Sequence, residues 1–118
     1  MNICATDIKM EIGNNQILKG VSIDSKSREL IGIIGPNGSG KSTLLKCIYR
    51  TLKPNNGCIM LGRQDISKMS VKESAKKLAV VAQHNYYNFD FSVGEVVLMG
   101  RSPHKKSLEP DNSEDYDI

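Results

Sequence analysis

The chain has 118 residues, of which 39% are apolar, and this is enough for one small domain with a modest core. Its net charge is +3, with scattered basic residues and only 5% aromatic residues, which favours a solvated surface over a nucleic-acid partner. No apolar run is long enough to span a membrane, the first residues lack a signal-peptide pattern, and the three cysteines share no metal-ligand spacing. These features predict a cytosolic protein with reduced thiols.

Apolar patterns predict the strands in chain order. They cover residues 3–12, 16–24, 29–34, 58–61 and 78–82. The Gly13-Asn14-Asn15 turn joins the first two into an antiparallel hairpin, and the continuous run 78–82 is typical of a parallel strand buried on both faces. Helices are predicted to begin near Lys41, Ser70, Ser92 and Asn112. The first helix places one apolar face toward the core, with Leu44, Leu45, Ile48 and Leu52.

A glycine-rich loop follows the strand at 29–34, and its spacing G-x-x-x-x-G-K-S is that of the phosphate-cradling P-loop. Its residues are Gly35, Pro36, Asn37, Gly38, Ser39, Gly40, Lys41, Ser42 and Thr43. The glycines let backbone N–H groups turn toward phosphates, and the helix after them adds the positive end of its dipole. Lys41 is expected to reach the β- and γ-phosphates and Ser42 to ligate Mg²⁺. A chance glycine-rich turn is the alternative, which the strand–loop–helix context disfavours.

Several segments of the chain resemble the nucleotide-binding domain of ABC transporters, namely residues 18–22, 35–45 and 80–83. Residues 89–104 look more specifically like the ATPases that power import of iron–siderophore, haem and cobalamin complexes. The resemblance implies an α/β fold, with a P-loop NTPase core of parallel strands and helices and an N-terminal antiparallel β hairpin region.

The resemblance also assigns roles to individual residues. It implies that ATP lies on residues 35–43, that Ser42 and Gln83 coordinate Mg²⁺, and that Lys41 and Gln83 are the catalytic residues. The alternative for Gln83 is a polar side chain at a strand end, bonded to backbone.

Partners are implied in the same way. The segment after Gln83 would face a coupling helix of a membrane permease, although clustered aromatic residues lie as often in a core. That segment contains Asn85, Tyr86, Tyr87 and Phe89. A second copy or a paired ATPase subunit would complete a dimer that lies peripherally on the inner face of the cell membrane. ATP hydrolysis would then drive import.

The chain departs from the family pattern at Ile12, where these domains place an aromatic ring on adenine. Aliphatic contact and weaker adenine discrimination are therefore expected. The chain also shows no signature motif, no paired Asp–Glu at a strand end and no switch histidine. Asp65, Glu73 and Asp90 fall in turns or caps, so none is a candidate base for the attacking water.

These departures predict an incomplete domain over residues 1–118. The acidic helix start near the end of the chain indicates that residues 105–118 begin a helical subdomain that is cut short. The favoured interpretation is part of an ATP-hydrolysing import subunit. The alternative is a truncated, non-catalytic ATP-binding module, and a P-loop kinase is disfavoured because neither a lid nor an acceptor site is recognisable.

Overall fold

The computed structural model describes residues 1–83 and 89–117. The chain divides into two compact units, Met1–Val71 and Lys72–Ile118. The first unit holds the sheet and the glycine-rich loop, and the described part of the second holds short helices and turns.

A four-stranded antiparallel sheet forms the first unit, in the order β2-β1-β3-β4. Its strands are β1 (Ile3–Ile12), β2 (Asn15–Asp24), β3 (Asn56–Leu61) and β4 (Gln64–Asp65). The strands predicted at 3–12, 16–24 and 58–61 are confirmed, together with the hairpin between the first two. The two-residue β4 is too short to give a periodic signal in the sequence.

A bulge at Thr6 and Asp7 lets β1 keep one face in the core. Ala5 and Ile8 are both buried, although strict alternation would put them on opposite faces of the sheet. Across the bulge β1 advances three residues while each neighbouring strand advances two, and Asp7 adopts a left-handed φ of 49°. A Cβ added at Gly57 of β3 would lie 2.5 Å from the Asp7 carbonyl oxygen, so only glycine fits beside the bulge.

Helix α1 (Lys41–Ile48) lies against β1 and β2. Its buried residues are Leu44 and Cys47, three positions apart on one face. The strands and the turn after β4 supply the rest of this core: Ala5, Ile8, Met10, Leu18, Ile59, Leu61, Ile66 and Met69. Burial of a leucine side chain is worth about 1.5–3 kcal/mol, so Leu44 is a main anchor of the helix. The prediction that Leu45 faces the core is wrong, because the helix packs through positions 44 and 47 and leaves Leu45 exposed.

The predicted strands at 29–34 and 78–82 are wrong for this structure, since neither run is a strand. Most of their apolar side chains are instead exposed, for example Leu30 at 98%, Ile34 at 95% and Val81 at 97%. Within the described chain the sheet contains only β1 to β4, so neither run has a neighbouring strand to bond its N–H and C=O groups. The antiparallel part of the predicted α/β fold is therefore confirmed, and the parallel core is not.

Short helices follow the sheet. They are α2 (Val71–Ala75), α3 (Val93–Met99) and α4 (Ser113–Tyr116), with a 3₁₀ turn at Ser102–His104. The predicted helix starts are confirmed, and two are capping boxes: Ser92 Oγ accepts from the Glu95 N–H at 3.3 Å, and Asn112 Oδ1 accepts from the Asp115 N–H at 3.2 Å. None of the helices in the described ranges is long and apolar enough to cross a membrane.

Asp115 also anchors an ion cluster within the second unit. The residue is only 6% exposed, and its carboxylate accepts from Lys105 Nζ at 2.7 Å and from Arg101 Nε at 3.0 Å. Lys105 pairs with Asp111 as well. The hydrogen bond from Lys105 is the main reason that the pKa of Asp115 lies well below its usual value, and the Asn112 N–H and Arg101 act in the same direction. The carboxylate is therefore charged and ties α4 to the turn before it.

Candidate phosphate-binding site

The glycine-rich loop of residues 35–40 leads into α1, and its shape depends on two glycines. Gly38 and Gly40 have φ values of +81° and +91°, which L side chains rarely adopt. The Ser39 N–H donates to the Pro36 carbonyl at 3.3 Å and closes the turn. A Cβ at Gly38 would meet nothing within 4 Å, so the space over this backbone is open to a ligand.

Gly40 fixes the loop to β2. A Cβ at this position would lie 2.9 Å from Leu18 Cδ2 and 3.2 Å from the Ile17 carbonyl oxygen. Any larger residue would push the loop off the strand. Gly40 was predicted to contact phosphate, but its support by Ile17 and Leu18 could not be predicted, because the alternating pattern of β2 identifies Leu18 only as a buried strand position.

Lys41 folds back over the loop that precedes it. Its Nζ donates to the Gly35 carbonyl at 2.8 Å and to the Pro36 carbonyl at 2.7 Å, and lies 3.4 Å from Ser39 Oγ. The ammonium group thus sits over the middle of the loop, where the P-loop interpretation requires a positive charge. Its carbonyl partners are neutral, so an anion that arrives at the loop offers a stronger acceptor.

The start of α1 provides backbone donors beside this charge. In the part of the chain that the structure describes, no acceptor engages the N–H groups of Lys41, Ser42 or Thr43, and no side chain caps the helix. The Ser42 side chain is exposed at the same end. Free N–H groups, the helix dipole and an ammonium group are the features that favour an anion at a helix N-terminus.

The residues present fit a triphosphate with Mg²⁺. Gly38 leaves an open approach, the first turn of α1 supplies donors, and Lys41 supplies a cation. The Ser42 hydroxyl is an oxygen ligand of the kind that Mg²⁺ takes next to phosphate oxygens. When bound, Mg²⁺ neutralises charge on the phosphate oxygens.

Gln83 belongs to the second unit and is exposed. It does not end a strand, because residues 78–82 are not one. Asn85, Tyr86 and Tyr87 lie outside the described residues, and Phe89 is exposed. The roles of Gln83 at Mg²⁺ and of the segment after it at a permease stay predictions.

The carboxylates that sequence analysis placed in turns and caps are found there. Asp65 caps the 3₁₀ turn after β4 and accepts from the Ser67 hydroxyl at 2.7 Å and the Ser67 N–H at 2.8 Å, which lowers its pKa. Glu73 lies in the first turn of α2, and Asp90 lies just before the Ser92 cap. Asp65 is the last residue of the two-residue β4 but is followed by Ile66, so it forms no Asp–Glu pair, and neither Glu73 nor Asp90 stands at a strand end.

One protein-family model matches most of the chain. The model described as ABC transporter matches residues 18–115, which include the loop, α1, β3, β4 and most of β2 but not β1. The chain belongs to the ABC transporter family. ATPases of this family hydrolyse ATP with Mg²⁺ in general.

Several relatives are import proteins by name. The hemin import ATP-binding protein HmuV of Pseudoalteromonas translucida is 41% identical over 87% of this chain, and the petrobactin import ATP-binding protein FpuC of Bacillus anthracis is 39% identical over 86%. The cobalamin import ATP-binding protein BtuD of Halobacterium salinarum is 34% identical over 88%. The chain spans only 40%, 37% and 26% of these three relatives.

Solved structures agree on the fold. A nucleotide-free ATP-binding cassette from an ABC transporter matches 65% of this chain at a TM-score of 0.60 and 35% identity, and the match covers 31% of that protein. A bacterial Atm1-family ABC exporter with ATP bound matches 85% of this chain at a TM-score of 0.77 and 26% identity, covering 18% of that protein.

Proposed function

We propose that this chain is the nucleotide-binding part of an ATP-binding subunit that couples ATP hydrolysis to import of an iron–siderophore, haem or cobalamin-type complex. The observation that carries the proposal is the loop itself, where the Lys41 ammonium group and the free N–H groups of α1 surround an open space. The names of the import relatives support the class of cargo.

Each residue of the loop has a role in this proposal. The backbone of Gly35 to Gly40 cradles the phosphates, Lys41 moves from its carbonyl partners to the β- and γ-phosphates, and the Ser42 hydroxyl holds Mg²⁺. Thr43 donates to the α-phosphate region, and Gln83 completes the Mg²⁺ site. Lys41 thereby stabilises the charge that develops as the phosphoryl bond breaks.

The proposal extends to partners and location. A membrane permease contacts the segment after Gln83, and a second ATPase subunit closes over the nucleotide. The protein then lies on the inner face of the cell membrane without crossing it. Residues 105–118 begin the helical subdomain of the complete ATPase, and α4 with its capping box agrees with that assignment.

A charge-removal experiment tests the loop. Lys41→Ala removes the ammonium group, and loss of a charged hydrogen bond of about 1.5–3 kcal/mol should weaken ATP binding by about 10- to 100-fold. Lys46→Ala is the matched control, because Lys46 is an exposed lysine in the last turn of the same helix. Fluorescent ATP binding is measured for both variants, with circular dichroism as a check on folding. Equal affinities would remove the phosphate assignment of Lys41.

A second candidate function is an ATP-binding module without turnover of its own. It is favoured by the engagement of Asp65 and Glu95, whose carboxylates are held in caps by Ser67 and Ser92. Phosphate release is measured for a protein in which this chain is joined to the part of the HmuV relative that it does not cover. Steady release from the joined protein supports the import ATPase, and binding of ATP without release supports the module.

A further inference from the structure

One face of the antiparallel sheet carries sulfur atoms that the nucleotide site does not use. β1 and β3 run side by side, with Cys4 opposite Met60 and Thr6 opposite Cys58. All four residues alternate with buried residues of their strands and lie on the face away from the core. The linear sequence gives no metal-ligand spacing for these cysteines, and only the pairing of the strands brings them to one surface.

The side chains on this face lean toward each other. Cys4 Sγ lies 3.7 Å from Thr6 Oγ1, and Cys58 Sγ donates to Met60 Sδ at 3.5 Å. Cys4 leans toward Thr6, which is opposite Cys58, and Cys58 leans toward Met60, which is opposite Cys4. Each thiol therefore leans along its strand toward the position of the other thiol. Cβ atoms of directly opposite residues such as Cys4 and Met60 lie about 4.5–5.5 Å apart, and diagonal neighbours such as Cys4 and Cys58 lie about 7–8 Å apart, so side chains that lean toward each other can reach one ion between them.

Carboxylates flank the sulfur atoms on both sides. In the same row across the sheet, Asp24 of β2 is opposite Cys4 and Asp65 of β4 is opposite Met60. These two carboxylates add negative charge beside the sulfur atoms, which favours the approach of a cation to this face.

We propose that Cys4, Cys58 and Met60 bind a single soft monovalent metal ion of the copper(I) class. Two thiolates and a thioether are the donor set that prefers copper(I) to harder ions. Within residues 1–83 and 89–117 no three His, Cys, Asp or Glu side chains converge on a metal position, and the thioether of Met60 completes the set here. On binding, each thiol S–H bond breaks, an S–Cu bond forms, and the proton passes to solvent. Copper stays in its +1 state, so the step consumes no oxidant or reductant.

Copper(I) titration of the reduced full chain, in competition with the chelator bicinchoninate, tests the site. We expect one ion per chain, loss of competition in Cys4→Ser and in Cys58→Ser, and weakening on the order of tenfold in Met60→Leu. Cys47→Ala is the matched control, because Cys47 is buried in the core on α1 and should leave the affinity unchanged. An unchanged affinity in Met60→Leu, or loss of the ion in Cys47→Ala, would overturn the proposal.

Alkylation of the unaltered chain gives a measurement that needs no variant to fold. Silver(I), a redox-inert substitute for copper(I), should suppress reaction of Cys4 and Cys58 with iodoacetamide, as read by peptide mass spectrometry. Reaction of either cysteine at the same rate with and without silver(I) would contradict a shared site. Neither experiment involves ATP, so its outcome is independent of the proposed nucleotide site.

Discussion

The support of the glycine-rich loop by β2 leads to a quantitative prediction for Gly40→Ala. The new methyl group would meet Leu18 Cδ2 at 2.9 Å and the Ile17 carbonyl oxygen at 3.2 Å. Leu18 is enclosed in the core, and a backbone carbonyl cannot rotate away on its own, so the loop or the strand must shift. The φ of +91° adds conformational strain to this clash.

The two contributions can be estimated separately. A non-glycine residue in the left-handed region costs about 1–2 kcal/mol, and overpacking costs about 1–3 kcal/mol. Gly40→Ala should therefore lower the free energy of unfolding by about 2–5 kcal/mol. Small proteins are stable by only about 5–15 kcal/mol, so this is a large fraction of the total.

Gly13→Ala is the matched control, because Gly13 has a φ of +62° but nothing within 4 Å of its added Cβ. It should show the strain alone, about 1–2 kcal/mol. Urea denaturation followed by circular dichroism gives the free energy of unfolding for both variants. Equal losses in the two variants would refute the packing of Gly40 against β2. A larger loss for Gly40→Ala, accompanied by weaker ATP binding, would link the fit of the loop on β2 to its function.

Three further predictions concern single residues. In the complete ATPase, Gln83→Ala should lower ATP turnover far more than ATP affinity, because Gln83 is expected to contact Mg²⁺ and water late in the cycle; an equal loss of affinity would make it structural. Ile12→Tyr should strengthen binding of ATP relative to a nucleotide without adenine, since it restores a ring for stacking. An unchanged ratio of the two affinities in competition binding would exclude residue 12 as the adenine-stacking position. The folded pKa of Asp115 is lowered, so its stabilising effect is present above the ordinary carboxylate pKa of about 3.9 and is lost as pH falls toward the folded value. Asp115→Asn should accordingly reduce hydrogen-exchange protection of α4 at neutral pH and flatten its acid dependence, and identical pH profiles would contradict the ion cluster.

Local patterns in the sequence were sufficient for the hairpin, the loop and the helix starts. The turn at 13–15 and the alternation around it fix β1 and β2, and the S-x-x-E pattern at Ser92 produces the capping box that the structure contains. In each case the signal is present in a short window of sequence, although the hairpin that grows from its turn pairs residues as distant as Cys4 and Asp24.

Features that depend on distant partners were not predictable in this way. The run 29–34 has the composition of a strand, yet strand formation depends on a neighbour that composition cannot supply. The contact of Gly40 with Leu18 and the pairing of Arg101 with Asp115 likewise join residues that no periodic pattern relates. Helical spacing alone assigned Leu45 to the core. The position of the sheet instead buries Leu44 and Cys47 and leaves Leu45 exposed.

The bulge at Thr6 and Asp7 makes β1 tolerant of a loss of one residue at this point. Deletion of either residue would restore plain alternation and leave Ala5 two positions before Ile8, so both side chains would still point into the core and Cys4 would stay on the opposite face. Deletion of Lys9 would instead make Ile8 and Met10 neighbours and put them on opposite faces of the strand. When this chain is aligned with longer relatives, a one-residue gap at Thr6 or Asp7 therefore keeps the two faces of β1, whereas the same gap at Lys9 reverses them.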